Sequence, residues 1–167
     1  MSTDAIVLLK DDHKQIKRLF RDFEAAGENA TKRKGEVVSK IIELLTMHTY
    51  IENEVMYPEV RRLVPDLEDD ILESYEEHHV ADLLVMELMA LSPDAERFDA
   101  KTAVLIENVS HHIEEEEQEW FPKLRDAVGP RSQPRCRGPS RWRRATRSWS
   151  SARWRAARAA DRSTPSW

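Results

Sequence analysis

Two stretches of this chain place a histidine and a glutamate, four residues apart, where the apolar face of a helix should continue. In one, Ile41, Leu45, His48, Glu52 and Val55 share a face; in the other, Leu105, Val109, His112, Glu116 and Trp120 do. A proline follows six residues after each glutamate, at Pro58 and Pro122. An unpaired carboxylate in an apolar interior costs on the order of several kcal/mol unless it is neutralised or coordinated. Any fold that buries these faces must therefore bring further polar groups to meet them.

Four helical stretches can carry that arrangement. The first starts after Ser2 or Thr3, with apolar positions at Ile6, Leu9, Ile16, Leu19, Phe20 and Phe23, and Gly27 is the expected C-terminal cap. The second opens near Thr31 and runs to Pro58, which kinks it or ends its regular part because proline has no amide hydrogen. The third begins at Pro65-Asp66 and gives way to a turn at Ser92-Pro93-Asp94; the fourth runs from Phe98 through Pro122 and stops at Gly129. With only four glycines in 167 residues, long helices are favoured over sheet. Short turns between them predict an all-α, up-down-up-down antiparallel four-helix bundle.

The six histidines, His13, His48, His78, His79, His111 and His112, are spread over all four stretches. His13 lies on the stripe Ile6, Leu9, Ile16, Phe20. His111 with Glu115 would use a face through Val104 and Asn108, which is less apolar, and only Glu116 keeps the spacing to Pro122. The second phrase therefore uses His112 and Glu116. On the third stretch the faces through His78 and His79 are nearly equivalent, and both remain open on periodicity. The set is His13, His48, Glu52, one of His78 and His79, His112 and Glu116. Four imidazoles and two carboxylates exceed what one tetrahedral zinc takes, and a lone Cys136 rules out a thiolate-rich site. They suit two metals bridged by the carboxylates, with room left for a small ligand.

Charge divides the chain near Gly129. From Pro130 onward there are eleven arginines, no lysine and one acid, Asp161, leaving 15 basic and 30 acidic residues of the chain's 26 and 31 before it. Residues 1–129 are the expected helical domain. Residues 130–167, which hold Trp142, Trp149, Trp154 and Trp167, are expected to be a disordered tail or the product of a shifted reading frame. Nucleic acid is expected as a partner only through that tail. No apolar run reaches membrane-spanning length and no signal-peptide pattern opens the chain, so the expected location is the cytoplasm and no membrane partner is expected.

The phrases Leu8-Leu9-Lys10-Asp11-Asp12-His13, His48 through Pro58, Glu77-His78-His79 and His111 through Pro122 together resemble the hemerythrin-like, or HHE cation-binding, family over residues 3–128. The resemblance implies a four-helix bundle around two iron ions with an oxo or hydroxo bridge, manganese and zinc being the alternatives. In that family a Glu-His dipeptide ahead of a leucine pair supplies the third-helix ligand; Leu83-Leu84 then points to His78 over His79. The oxygen-carrying members have a further histidine on that helix, where this chain has Asp82, and an aspartate on the fourth. The pattern is similar instead to the bacterial variant with one histidine fewer. The freed position implies binding of, or reaction with, O2, H2O2 or NO, with Tyr75 and then Tyr50 as candidates to approach it. Catalytic residues are not assigned; the enzymatic form of this reading is an oxidoreductase that consumes peroxide or nitric oxide. The alternative is an iron sensor or buffer. Iron–sulfur repair belongs to relatives with a cysteine-bearing N-terminal segment, and a ferritin-like oxidase would need paired Glu-x-x-His, of which only Glu76-x-x-His79 fits.

Overall fold

The structure, a computed structural model, describes residues 5–128. The expected caps Ser2 and Thr3 and the Arg/Trp-rich stretch 130–167 lie outside the described residues. Among the described residues all regular structure is helical: α1 (Ala5–Glu24), α2 (Thr31–Ile51), α3 (Tyr57–Leu63), α4 (Glu68–Met89), α5 (Phe98–Glu115) and α6 (Phe121–Val128). None of these helices is long and apolar enough to cross a membrane.

Periodicity accounts for α1 well, since Ile6, Leu9, His13, Ile16, Phe20 and Phe23 are all buried. Its end differs from expectation. The helix stops at Glu24, and a tight turn with Ala26 N–H donating to the Phe23 carbonyl at 3.0 Å carries the chain away. Gly27 comes after that turn, outside the left-handed region, and its carbonyl accepts from Ala30 N–H at 2.9 Å. Gly35 has a clearer steric role: a Cβ there would lie 2.7 Å from Pro93 Cγ, so its absence lets the turn between α4 and α5 pack on α2.

The second and fourth stretches do not end at their prolines. Each passes through one wide π-helical turn, Glu52–Met56 before α3 and Glu116–Trp120 before α6. Tyr57 N–H donates to the Glu52 carbonyl and Phe121 N–H to the Glu116 carbonyl, five residues back in both cases. Continuing the wide turn would ask Pro58 for an amide hydrogen it lacks. The Asn53 carbonyl takes the Tyr75 hydroxyl instead, at 3.2 Å. Wide turns of this kind are uncommon and are often found beside functional groups.

The interior has three layers. One apolar cluster contains Ile16 and Phe20 of α1, Val38, Ile41 and Leu45 of α2, Val85 and Leu88 of α4, and Leu105, Val109 and Ile113 of α5. A second contains Ile6 and Leu9 of α1, Tyr57 and Val60 of α3, Ile71 of α4, and Trp120, Phe121 and Leu124. Between them in each stretch stand buried polar side chains: His13; His48 and Glu52; His78; His112 and Glu116.

Candidate metal centre

Helix periodicity aims these six side chains inward, and the two wide turns do more. In a regular helix only one of two successive residues can face a given direction. Here Glu52 is fully buried and Asn53 also turns in, its Oδ1 2.8 Å from Nδ1 of His78. Glu116 and Glu117 repeat the device: Glu116 is fully buried and Glu117 Oε1 lies 2.8 Å from Nδ1 of His13. Glu77, next to His78 on α4, places Oε2 2.6 Å from Nδ1 of His112. His48 is the exception, with Asp12 Oδ2 3.9 Å from its Nδ1, beyond hydrogen-bond range.

The histidines pair through their other nitrogens. His13 Nε2 is 3.2 Å from His48 Nε2, and His78 Nε2 is 2.9 Å from His112 Nε2. Each glutamate reaches both pairs. Glu116 sets Oε2 3.1 Å from His13 Nε2 and Oε1 3.6 Å from His112 Nε2. Glu52 Oε2 lies 3.2 Å from His48 Nε2 and 3.5 Å from His78 Nε2.

Asn53 Oδ1 and the Glu77 carboxylate are acceptors, so Nδ1 of His78 and of His112 carry the hydrogens. Both Nε2 atoms then present lone pairs to each other at 2.9 Å, which repel unless a cation, a proton or a metal ion, lies between them. Both oxygens of Glu52 and Oε2 of Glu116 are buried without a hydrogen-bond partner. Burial, then the neighbouring Glu116 charge, pushes the Glu52 carboxyl well above the usual range. Burial alone would raise Glu116, but His112 and His13 outweigh it and hold that carboxyl at about 2. Burial, with His112 beside it, holds His78 well below the usual imidazole range, and burial lowers His48. His112 is raised: burial opposes this, and the Glu116 and Glu77 carboxylates prevail. A cluster so divided between groups resisting charge and groups requiring it is short of positive charge at its centre.

The Hemerythrin HHE cation binding domain family matches residues 4–124. The chain belongs to that family. It is also similar to a protein of Nostoc sp. (strain PCC 7120) called a DNA nickase, at 29% identity over 119 residues, 71% of this chain and 33% of the relative. The chain thus spans about a third of that relative's length. No solved structure matches it.

In this HHE domain the six buried residues offer a nitrogen and oxygen donor set compatible with metal binding. His13, His48, Glu52 and Glu116 bring ligand atoms within 4.8 Å of one another, as do Glu52, His78 and His112. The remaining sequence candidates lie elsewhere. His79 is exposed, and His111 is 67% exposed and paired with Glu115 at 3.3 Å. Tyr75 is half-buried with its hydroxyl on the Asn53 carbonyl. Tyr50 is half-buried on α2, two residues from both His48 and Glu52 and so on the other side of the helix.

One residue beside the centre escaped the sequence reading. Tyr57 is fully buried, stacks on His78 with ring centroids 5.5 Å apart, and donates its hydroxyl to Glu116 Oε1 at 3.1 Å. Burial, then the Glu116 and Glu52 charges, pushes the phenol well above its usual range, so it stays protonated. The repeat contained the signal: Tyr57 precedes Pro58 as Phe121 precedes Pro122, and Phe121 stacks on His13 at 5.9 Å. Asn53, Glu77 and Glu117 were missed too, being polar residues that a helix face alone would place at the rim.

Proposed function

We propose that this HHE domain holds two iron ions and that the pair reacts with a small oxidant, O2, H2O2 or NO. The observation that carries the proposal is the polar layer, in which two facing histidine pairs are both reached by Glu52 and by Glu116. In this reading His13 and His48 would hold one ion and His78 and His112 the other, with Glu52 and Glu116 within reach of both. Nitrogen and oxygen donors of this kind suit first-row metals. When bound, the ions supply the electrons exchanged with the oxidant.

The protein's own residues do the rest. Glu117, Asn53 and Glu77 fix which nitrogen of His13, His78 and His112 carries the hydrogen, and so aim the bare Nε2 atoms inward. Tyr57 holds its proton against Glu116 Oε1, a donor kept beside the carboxylate. The two apolar clusters exclude bulk water above and below the layer. A cavity of about 10 Å³, lined in part by His48, Thr49, His78, Asn108 and His112, has room for a guest the size of one water. That size leaves no room for an organic substrate.

The layering supports the rest of the architecture. Along α1 the chain passes from the second apolar cluster to the first, along α2 and α3 it returns, and α4 and then α5 with α6 repeat the cycle. Alternation of this kind is what an up-down-up-down antiparallel bundle requires. We take residues 1–129 as the domain, 130–167 as an appended tail, and a reducing cytoplasm as the location, in keeping with the lone Cys136. The Nostoc relative's nicking of DNA is not carried over: 30 acidic residues against 15 basic ones before Pro130 would repel a phosphate backbone.

Anaerobic reconstitution with Fe2+ should load two ions per chain, and saturation below about 1.5 would refute the paired site. Steady consumption of peroxide or NO by the loaded protein marks an enzyme; a reversible visible band under O2 marks a carrier. Full loading with no response to any of the three would favour the iron sensor or buffer.

A further inference from the structure

The run His111-His112-Ile113-Glu114-Glu115-Glu116 contains the His-x-x-x-Glu spacing twice, one residue out of phase. The inner copy, His112 and Glu116, belongs to the buried layer. The outer copy, His111 and Glu115, meets Glu77 of α4, and the three bring ligand atoms within 4.8 Å of one another. One imidazole and two carboxylates form a donor set for a divalent first-row cation. The side chains are 67% exposed at His111, 36% at Glu115 and 17% at Glu77, so the trio opens outward and deepens towards Glu77.

Two further observations give this trio an inward direction. Glu77 belongs to both regions, since its Oε2 accepts from Nδ1 of the buried His112 at 2.6 Å. Glu77 also lines the same 10 Å³ cavity as His48, His78 and His112. In that cavity wall Asn108 has a side-chain oxygen that is buried and has no hydrogen-bond partner. An amide oxygen is a hard ligand of the kind a divalent cation accepts in place of water.

We propose that Glu77, His111 and Glu115 form a capture site for divalent cations, and that the Asn108-lined cavity passes the captured ion to His112, His78 and His48. The outer trio takes an ion from water while the ion keeps part of its hydration shell. Asn108 and Glu77 then replace shed waters along a passage too narrow for a fully hydrated ion. The imidazoles at the inner end bind last and most tightly. This inference rests on the reading of the buried layer as a metal centre, and its test separates the two.

The test uses the full metal-free chain mixed anaerobically with limiting Co2+, following the visible absorption of the filled centre over time and the final metal count. His111→Ala combined with Glu115→Gln should slow filling by at least about threefold while leaving the final count unchanged. Asn108→Leu, which removes the oxygen and fills the cavity, should slow it as well. Glu114→Gln removes one exposed charge from the same helix outside the trio and should fill at the wild-type rate. Circular dichroism establishes that each variant keeps its helices. Equal rates in wild type, the double variant and Asn108→Leu would overturn the capture site and leave the buried centre standing, the trio then being a surface ion pair only. Equal slowing in Glu114→Gln would overturn it too, as an effect of charge alone. No uptake by the wild-type protein would overturn both.

Discussion

Replacing Glu52 by methionine should make the metal-free protein more stable and abolish its response to metal. Glu52 is fully buried and neither carboxylate oxygen has a hydrogen-bond partner. An unsatisfied buried polar group of this kind costs about 1–3 kcal/mol. Methionine has similar length, bends to fit, and removes that cost without opening a large void. In a domain of this size the gain corresponds to a rise in Tm of roughly 3–12 °C. The gain should also depend on pH. A carboxyl raised by burial binds more protons folded than unfolded, so the wild-type protein loses stability as pH rises from the unfolded pKa towards the folded one. The advantage of Glu52→Met is therefore larger at neutral pH than at pH values below the unfolded carboxyl pKa. Metal reverses the order. With free ion at 100 times its Kd, the wild type gains about 2.7 kcal/mol per site, and the variant, lacking a donor shared by both histidine pairs, should gain little. Calorimetry of both proteins, metal-free and with Fe2+ under argon, reads all four quantities. A metal-free variant that melts below wild type, or one that keeps the full metal-induced shift, would refute the reasoning.

Two other perturbations probe the surroundings of the layer, and a third probes the packing of the α4–α5 turn on α2. Tyr57→Phe should leave the metal count at saturation unchanged, because Phe121 already fills the matching position, but should cost about 1.5–3 kcal/mol in denaturant unfolding of the metal-free protein through loss of the bond to charged Glu116. Glu117→Ala removes the acceptor at Nδ1 of His13 and should weaken metal binding about 10–100-fold in chelator competition, again with full occupancy at saturation. Gly35→Ala drives a Cβ to within 2.7 Å of Pro93 Cγ; the overpacking cost of about 1–3 kcal/mol exceeds the helical gain of at most about 1 kcal/mol, so unfolding should come earlier. Pro93→Ala in the same chain should recover most of that loss.

The helical stretches and the inward histidines and glutamates were legible because both follow from a period of 3.6 residues on an apolar stripe. His112 was separable from His111 by the same logic, and the structure sets one in the interior and the other on the surface. Periodicity fails at a wide turn, where it changes by design. Asn53 and Glu117 fall off the apolar stripe of a regular helix, and only the π-helical turns bring them round to His78 and His13. Tyr57 was hidden for a different reason: an aromatic residue in front of a proline reads as core, and its hydroxyl acquires a role only through Glu116, 59 residues away in sequence. The Gly27 cap failed because the chain already turns away at Ala26, and glycine marks where a helix can stop without fixing where it does.

The polar layer also divides the hydrophobic core, and this has a consequence for how the molecule comes apart. Each apolar cluster draws on α1 and α4, but the second depends otherwise on short segments that follow the wide turns. With ions held as proposed, the six buried side chains would tie the two clusters together, and these should melt as one. Without them, the link keeps facing imidazole lone pairs and unpartnered carboxylate oxygens, and the second cluster is the weaker partner. Amide exchange in the metal-free state should then show α3 and α6 opening as a separate cooperative unit while α2 and α5 remain protected. The cation would act as the fastener between two half-cores, and its occupancy would be read out as the loosening or tightening of one end of the molecule.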